Sequence, residues 1–191
     1  MKENISEFFI VSIAPDEEMI QSLNLGLKYT NYIKIKLHNN IEKAKHTLNL
    51  LNIKCKEFGL NRNIKIIWSI DLNSNFQSPL DCEKLINDAL LNYKERSYMI
   101  EQPFPIKYDD IKINFDRWKK IKSLSEKNNI LINADESAST LESIESLKDI
   151  VSGVNIKLEK CRGIRNGLKC IEKGKKLNLK ISIGFMVGSS L

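Results

Sequence analysis

Five reactive side chains recur at the same local position in this sequence, each closing a short apolar run. Lys36 follows Tyr32-Ile33-Lys34-Ile35, Asp71 follows Ile66-Ile67-Trp68-Ser69-Ile70, and Glu101 follows Tyr98-Met99-Ile100. Asp135 follows Ile130-Leu131-Ile132-Asn133-Ala134, and Lys157 follows Val154-Asn155-Ile156. Carboxylates gathered without thiolate or imidazole partners make a hard oxygen site, suited to a magnesium-like ion that keeps positions open for water and substrate. Asp71, Glu101 and Asp135 are the expected ligands. Three acids at close range repel one another unless a divalent cation or nearby lysines compensate, and Lys36 and Lys157 supply part of that charge. A lysine serves as a base only where neighbouring positive charge favours its neutral amine; the metal and Lys34, two residues before Lys36, provide it. With one amine on each face of a substrate carbon, one lysine removes a proton, the metal stabilises the enediolate and the other lysine returns a proton to the opposite face. The chemistry expected is a 1,1-proton transfer, an epimerisation or racemisation.

Taken singly, a strand-end acid is more often a helix cap and a lysine more often a solvated surface group. The weight therefore lies on five such residues in succession, and on the elements that must carry them. Glu7 to Ile13 reads as a first strand, and Pro15-Asp16-Glu17-Glu18 opens a helix with acids at the positive end of its dipole, running to about Tyr29. Tyr32 to Leu37 is a second strand. Ile41, Ala44, Leu48 and Leu51 then recur at helical spacing up to Gly59, the expected C-terminal cap. Ile64 to Ile70 makes a third strand, Ser78-Pro79 with Asp81 and Glu83 starts a helix, and Tyr98 to Glu101 is a fourth strand that Pro103 and Pro105 terminate. A helix through Phe115, Trp118, Ile121 and Leu124 leads to the strand ending at Asp135. A short helix with Leu141, Ile144 and Leu147 leads to the strand ending at Lys157. A last helix around Ile164, Leu168 and Ile171 precedes a seventh strand, Leu179 to Met186.

Strand and helix alternating seven times call for a parallel sheet with helices packed outside it, in one domain spanning residues 1–191. An open doubly wound sheet would carry a glycine-rich phosphate turn after its first strand, and Ala14-Pro15-Asp16 offers none. A closed barrel points every strand's C-terminal end at one mouth, where residues from five strands converge. The expected class is α/β, an incomplete TIM-type (β/α) barrel of about seven strands.

The bulk properties agree with such a domain. A chain of 191 residues, 42% hydrophobic and 28% charged, is long enough to bury a core. Its net charge of +6 comes from lysines interleaved with acids rather than from a basic stripe with aromatics, so no nucleic-acid partner is expected. The uncharged stretch Phe8 to Ala14 is too short for a membrane span, and no signal-peptide pattern precedes it, so no membrane association and a cytoplasmic location are expected. Cys55, Cys82, Cys161 and Cys170 lack metal-ligand spacing and read as reduced structural thiols. His38, just past the second strand, and His46, within a helix, are given no role.

These residues together resemble the barrel domain of the enolase superfamily, in its muconate lactonizing subgroup, and most of all its dipeptide epimerases. The resemblance runs from the first strand to the seventh. It rests on Lys34-Ile35-Lys36, Asp71-Leu72-Asn73, Ile100-Glu101-Gln102-Pro103, Ala134-Asp135-Glu136-Ser137 and Asn155-Ile156-Lys157-Leu158-Glu159-Lys160. It implies Lys36 and Lys157 as opposed bases, Asp71, Glu101 and Asp135 as magnesium ligands, and Lys34 and Asn73 beside the substrate. It implies a Mg2+-dependent enzyme acting on a carbon alpha to a carboxylate, and for the nearest members an Ala-Glu type dipeptide from peptidoglycan turnover. The same lysines and metal serve o-succinylbenzoate synthases and muconate cycloisomerases, which these residues do not separate. A remnant that binds metal weakly and turns nothing over is the reading from another class.

Four departures accompany the resemblance. The family's capping domain would precede the first strand, and an eighth strand with acidic residues that hold a dipeptide's ammonium group would follow the seventh; the expectation is a barrel truncated at both ends. Arg162 stands where a glycine usually follows the base motif, and Gly188 where the seventh-strand motif usually has a glutamate. First and seventh strands with unpaired edges lead to an expectation of association, with a second copy or with a chain that complements the missing parts.

Overall fold

Short apolar runs rich in isoleucine do form the strands, and the stretches between them coil into helices. The computed structural model describes residues 6–74, 78–104 and 111–186. It divides into two compact units, Met1–Pro103 and Phe104–Leu191. Pro105 and Gly188 lie outside the described residues.

The first unit runs β1 (Phe9–Val11), α1 (Asp16–Gly26), β2 (Tyr32–Lys36), α2 (Ile41–Arg62), β3 (Ile67–Asp71), α3 (Pro79–Tyr93) and β4 (Ser97–Glu101). Its four strands pair in parallel and in chain order. In β2, Ile33 and Ile35 are fully buried, whereas Tyr32, Lys34 and Lys36 share the other face, as alternation along a strand requires. Asn40 caps α2 by accepting from the Lys43 N–H at 3.0 Å, and Ser78 caps α3 with Pro79 behind it. The register between β3 and β4 slips by one residue. Trp68 faces Ser97 and Ser69 faces Met99, so Tyr98 has no opposite residue and is bulged outward.

Gly59 is not the cap of α2. The helix continues to Arg62, and Asn63 ends it in the left-handed region at φ 51°, where its N–H and that of Ile64 both return to the Gly59 carbonyl. Asparagine tolerates that conformation, so the helix ends four residues later than the glycine suggests.

The second unit runs α4 (Ile111–Glu126), β5 (Leu131–Ala134), α5 (Leu141–Leu147), β6 (Gly153–Lys157), α6 (Ile164–Lys176) and β7 (Lys180–Gly184). β5, β6 and β7 are parallel neighbours. Thr140 and Ser143 close a reciprocal capping box at the start of α5. The inward face of α6 is made of small residues, Gly167, Cys170 and Gly174, while Ile164 and Leu168 are exposed. A Cβ on Gly167 would lie 2.7 Å from a Leu158 methyl and one on Gly174 2.6 Å from an Ile181 methyl, so these two side chains fill the space beside the glycines. Among the described residues, no helix is long and apolar enough to cross a membrane.

All four cysteines are buried and unpaired. Burial, with the Cys161 thiol alongside, pushes the Cys170 thiol up to about 11 from an ordinary 9.0. The folded state thus holds this proton more tightly than the unfolded chain does. The resulting stability is complete below pH 9.0 and is lost as pH rises toward about 11. Melting temperatures measured across that interval should fall more steeply for the wild type than for Cys170→Ala; parallel declines would show that this thiol is not responsible.

Candidate active site

The reactive residues stand at the C-terminal ends of their strands. Lys36, Asp71, Glu101 and Lys157 are the last residues of β2, β3, β4 and β6, and Asp135 follows β5 directly. The structure gathers them into two clusters, one in each unit.

In the first unit, Lys36 is the cross-strand partner of Asp71, and Asp71 of Glu101. Both carboxylates are buried, Asp71 at 4% exposure and Glu101 at 0%. Lys34 reaches over from β2: its Nζ lies 2.8 Å from Oε1 and 2.7 Å from Oε2 of Glu101, and 3.9 Å from Oδ2 of Asp71. Asp71 is oriented by its own turn, since the Asn73 N–H donates to its Oδ1 at 3.0 Å. Asn73 and Ser74 follow in the left-handed region at φ 47° and 57°, and the Ser74 N–H donates to the Gln102 carbonyl at 2.9 Å. Gln102, itself left-handed at φ 43° and fully buried, thereby ties the loop after β3 to the loop after β4. Asn73, expected beside a substrate, contributes its backbone to holding Asp71. Lys36 is half-buried, on the same face of β2 as Lys34.

In the second unit, Asp135 is 2% exposed and meets two lysines. Lys157 Nζ lies 2.6 Å from its Oδ2. Lys160 Nζ donates to its Oδ1 and to its backbone carbonyl, and to the Asn155 carbonyl at 3.3 Å. Lys160 was given no role by the sequence; the signal for it is a second lysine three residues after the first, within the same motif. Arg162 adopts φ 62° and is exposed. A side chain in that region costs about 1–2 kcal/mol. Arg162→Gly should therefore stabilise the protein by about 1 kcal/mol, raising its melting temperature by roughly 2–4 °C; an unchanged or lower value would mean that the arginine side chain offsets its backbone strain.

The acids offer buried carboxylate oxygens only, which is the donor chemistry of a hard divalent cation such as magnesium. In that respect the residues fit the ion. Among the described residues no three histidine, cysteine, aspartate or glutamate side chains group as metal ligands: Asp71 and Glu101 pair in the first unit, and Asp135 belongs to the second. The two histidines stand elsewhere, lining a cavity of about 440 Å3 with Asp16, Glu42 and Lys43, where His46 Nε2 is 2.8 Å from Asp16 Oδ2.

No family model matches the chain. It is similar to an enolase superfamily member of Dictyostelium discoideum, with 37% identity over 193 residues, 96% of this chain and 44% of that protein. It is also similar to an L-Ala-D/L-amino acid epimerase of Flavobacterium johnsoniae, with 28% identity over 141 residues, 71% of this chain and 39% of the relative. Among solved structures, a dipeptide epimerase from Cytophaga hutchinsonii, complexed with Mg and the dipeptide D-Ala-L-Val, superposes with a TM-score of 0.77 at 20% identity. The match covers 97% of this chain and 46% of that one. The likeness shows the fold, an incomplete TIM-type barrel of seven parallel strands with outer helices. The chain spans about half the length of the relatives it matches.

Proposed function

Because this chain belongs to the enolase superfamily, we propose that residues 1–191 form one barrel domain of a magnesium-dependent epimerase acting by 1,1-proton transfer alpha to a carboxylate, with Ala-Glu type dipeptides as substrates. The single observation that supports this most is the run of Lys36, Asp71, Glu101, Asp135 and Lys157 at five consecutive strand ends, in a chain whose relatives include epimerases. In this reading Lys36 and Lys157 are the two proton-transfer groups. Lys36 would be presented by the half-buried face of β2, opposite the buried Ile33 and Ile35, with Lys34 on the same face. Lys157 is held ready on Asp135, which keeps its ammonium in one place between turnovers. Asp71, Glu101 and Asp135 would hold the magnesium ion. When bound, it supplies positive charge that stabilises a substrate carboxylate as its alpha carbon loses a proton. Burial of the acids excludes water that would otherwise compete for that charge. The reading carries with it a cytoplasmic setting, consistent with four reduced thiols.

The test is proton NMR of L-Ala-L-Glu and related dipeptides in deuterated water with this chain and magnesium, following the alpha-proton signal. Loss of that signal with the wild type, but not with the Lys36→Ala/Lys157→Ala double variant, is the expected result. A folded, magnesium-bound chain that exchanges no alpha proton across a broad dipeptide panel would overturn it.

A further inference from the structure

The geometry points to Lys160 as a positioning residue that fixes the Asp135 carboxylate so that its Oδ2 meets Lys157. The inference rests on the reading that Asp135 and Lys157 belong to the reacting site, although its test uses no turnover.

β5 and β6 keep register only through Ala134 opposite Val154. One residue further on, the Lys160 ammonium bridges Asp135, just past the end of β5, and Asn155, in the middle of β6. A turn brings it there. The Cys161 N–H donates to the Lys157 carbonyl at 3.0 Å and the Gly163 N–H to the Leu158 carbonyl at 2.8 Å, which folds the segment after β6 back on itself. An ammonium has three N–H donors, and Lys160 meets three oxygens: Asp135 Oδ1, the Asp135 carbonyl and the Asn155 carbonyl. With every donor engaged and the side chain 13% exposed, this amine is an anchor rather than a carrier of protons to a substrate. It grips Asp135 at both side chain and backbone, so the carboxylate cannot turn away without breaking charge-assisted hydrogen bonds. Oδ2 is thereby left facing Lys157 Nζ, at 2.6 Å. The same contacts admit the opposite relationship, in which the two lysines compete for one carboxylate, and stability measurements separate the two.

The experiment is a double-mutant cycle between Lys157→Met and Asp135→Asn, read by urea unfolding and performed once with Lys160 present and once in a Lys160→Met background. If Lys160 positions the acid, the coupling with Lys160 present is about tenfold in the unfolding equilibrium constant and vanishes without it. A coupling that persists or grows in the Lys160→Met background makes Lys160 a competitor and overturns the inference. So does a wild-type cycle with no coupling at all. Should Lys160→Met fail to fold, Lys160→Gln, which keeps two N–H donors but no charge, takes its place with the same outcomes. Because none of these readouts needs substrate, an inactive chain would sink the epimerase reading and leave this result standing.

Discussion

Lys36→Met and Lys157→Met are each expected to abolish epimerisation while sparing alpha-proton exchange on opposite epimers. A two-base transfer assigns one amine to each face of the carbon, so a variant lacking one base still deprotonates the epimer served by the other. The exchanged carbon then has no donor on the far face and returns to its starting configuration with deuterium in place of hydrogen. General acid–base groups contribute about 10²–10⁴-fold, and the lost direction should fall by that amount. Methionine keeps the length and apolar stem of lysine, which matters because Lys36 and Lys157 end β2 and β6 and pack partly against their neighbours. The measurement is deuterium incorporation followed separately on L,L and L,D dipeptides. Both variants losing the same epimer, or each losing both equally, would show that the two lysines do not act on opposite faces. Glu101→Gln would behave differently. It removes the charge that Lys34 contacts at 2.7 and 2.8 Å and should weaken exchange of both epimers alike.

How far the sequence reveals this arrangement depends on the kind of signal. Lys36, Asp71, Glu101 and Lys157 each close an apolar run at the end of a strand, and that change in composition is visible residue by residue. Their alternation is equally visible: Lys34 and Lys36 share a face because they lie two positions apart, with Ile35 between them. Lys160 is not visible in this way. Its reach to Asp135 depends on a turn that includes a left-handed arginine at φ 62°, and no local pattern announces that an arginine will accept that backbone. Nor is the packing face of α6 legible from hydropathy. Ile164 and Leu168 carry the apolar weight, yet Gly167, Cys170 and Gly174 face inward, where methyls of Leu158 and Ile181 fill the space beside the two glycines. The bulge at Tyr98 arises from a one-residue mismatch between β3 and β4, a property of two strands together that neither contains alone.

That bulge sits next to the residue on which the first unit's stability should depend most. Trp68 is fully buried in β3, its ring 5.5 Å from that of Tyr93, and its backbone N–H donates to the Arg96 carbonyl at 2.7 Å just before the register slips. Trp68→Ala would open a cavity between β3 and the helices over it and should cost about 3–5 kcal/mol. Against a total stability of about 5–15 kcal/mol, this is a large fraction of what holds the chain folded. The midpoint of urea unfolding should drop accordingly with little change in slope, whereas Tyr29→Ala, at a residue 79% exposed, should move it by less than about 0.5 kcal/mol. A small effect at Trp68 would mean that the surrounding side chains collapse into the space, and then β3 would have to shift. Asp71 is three residues along the same strand, its Oδ1 held by a turn and its Oδ2 facing Lys34 at 3.9 Å, so such a shift would appear as a loss of that geometry. Either the stability or the placement of Asp71 must register the change, because the strand that buries Trp68 is the one that presents the acid.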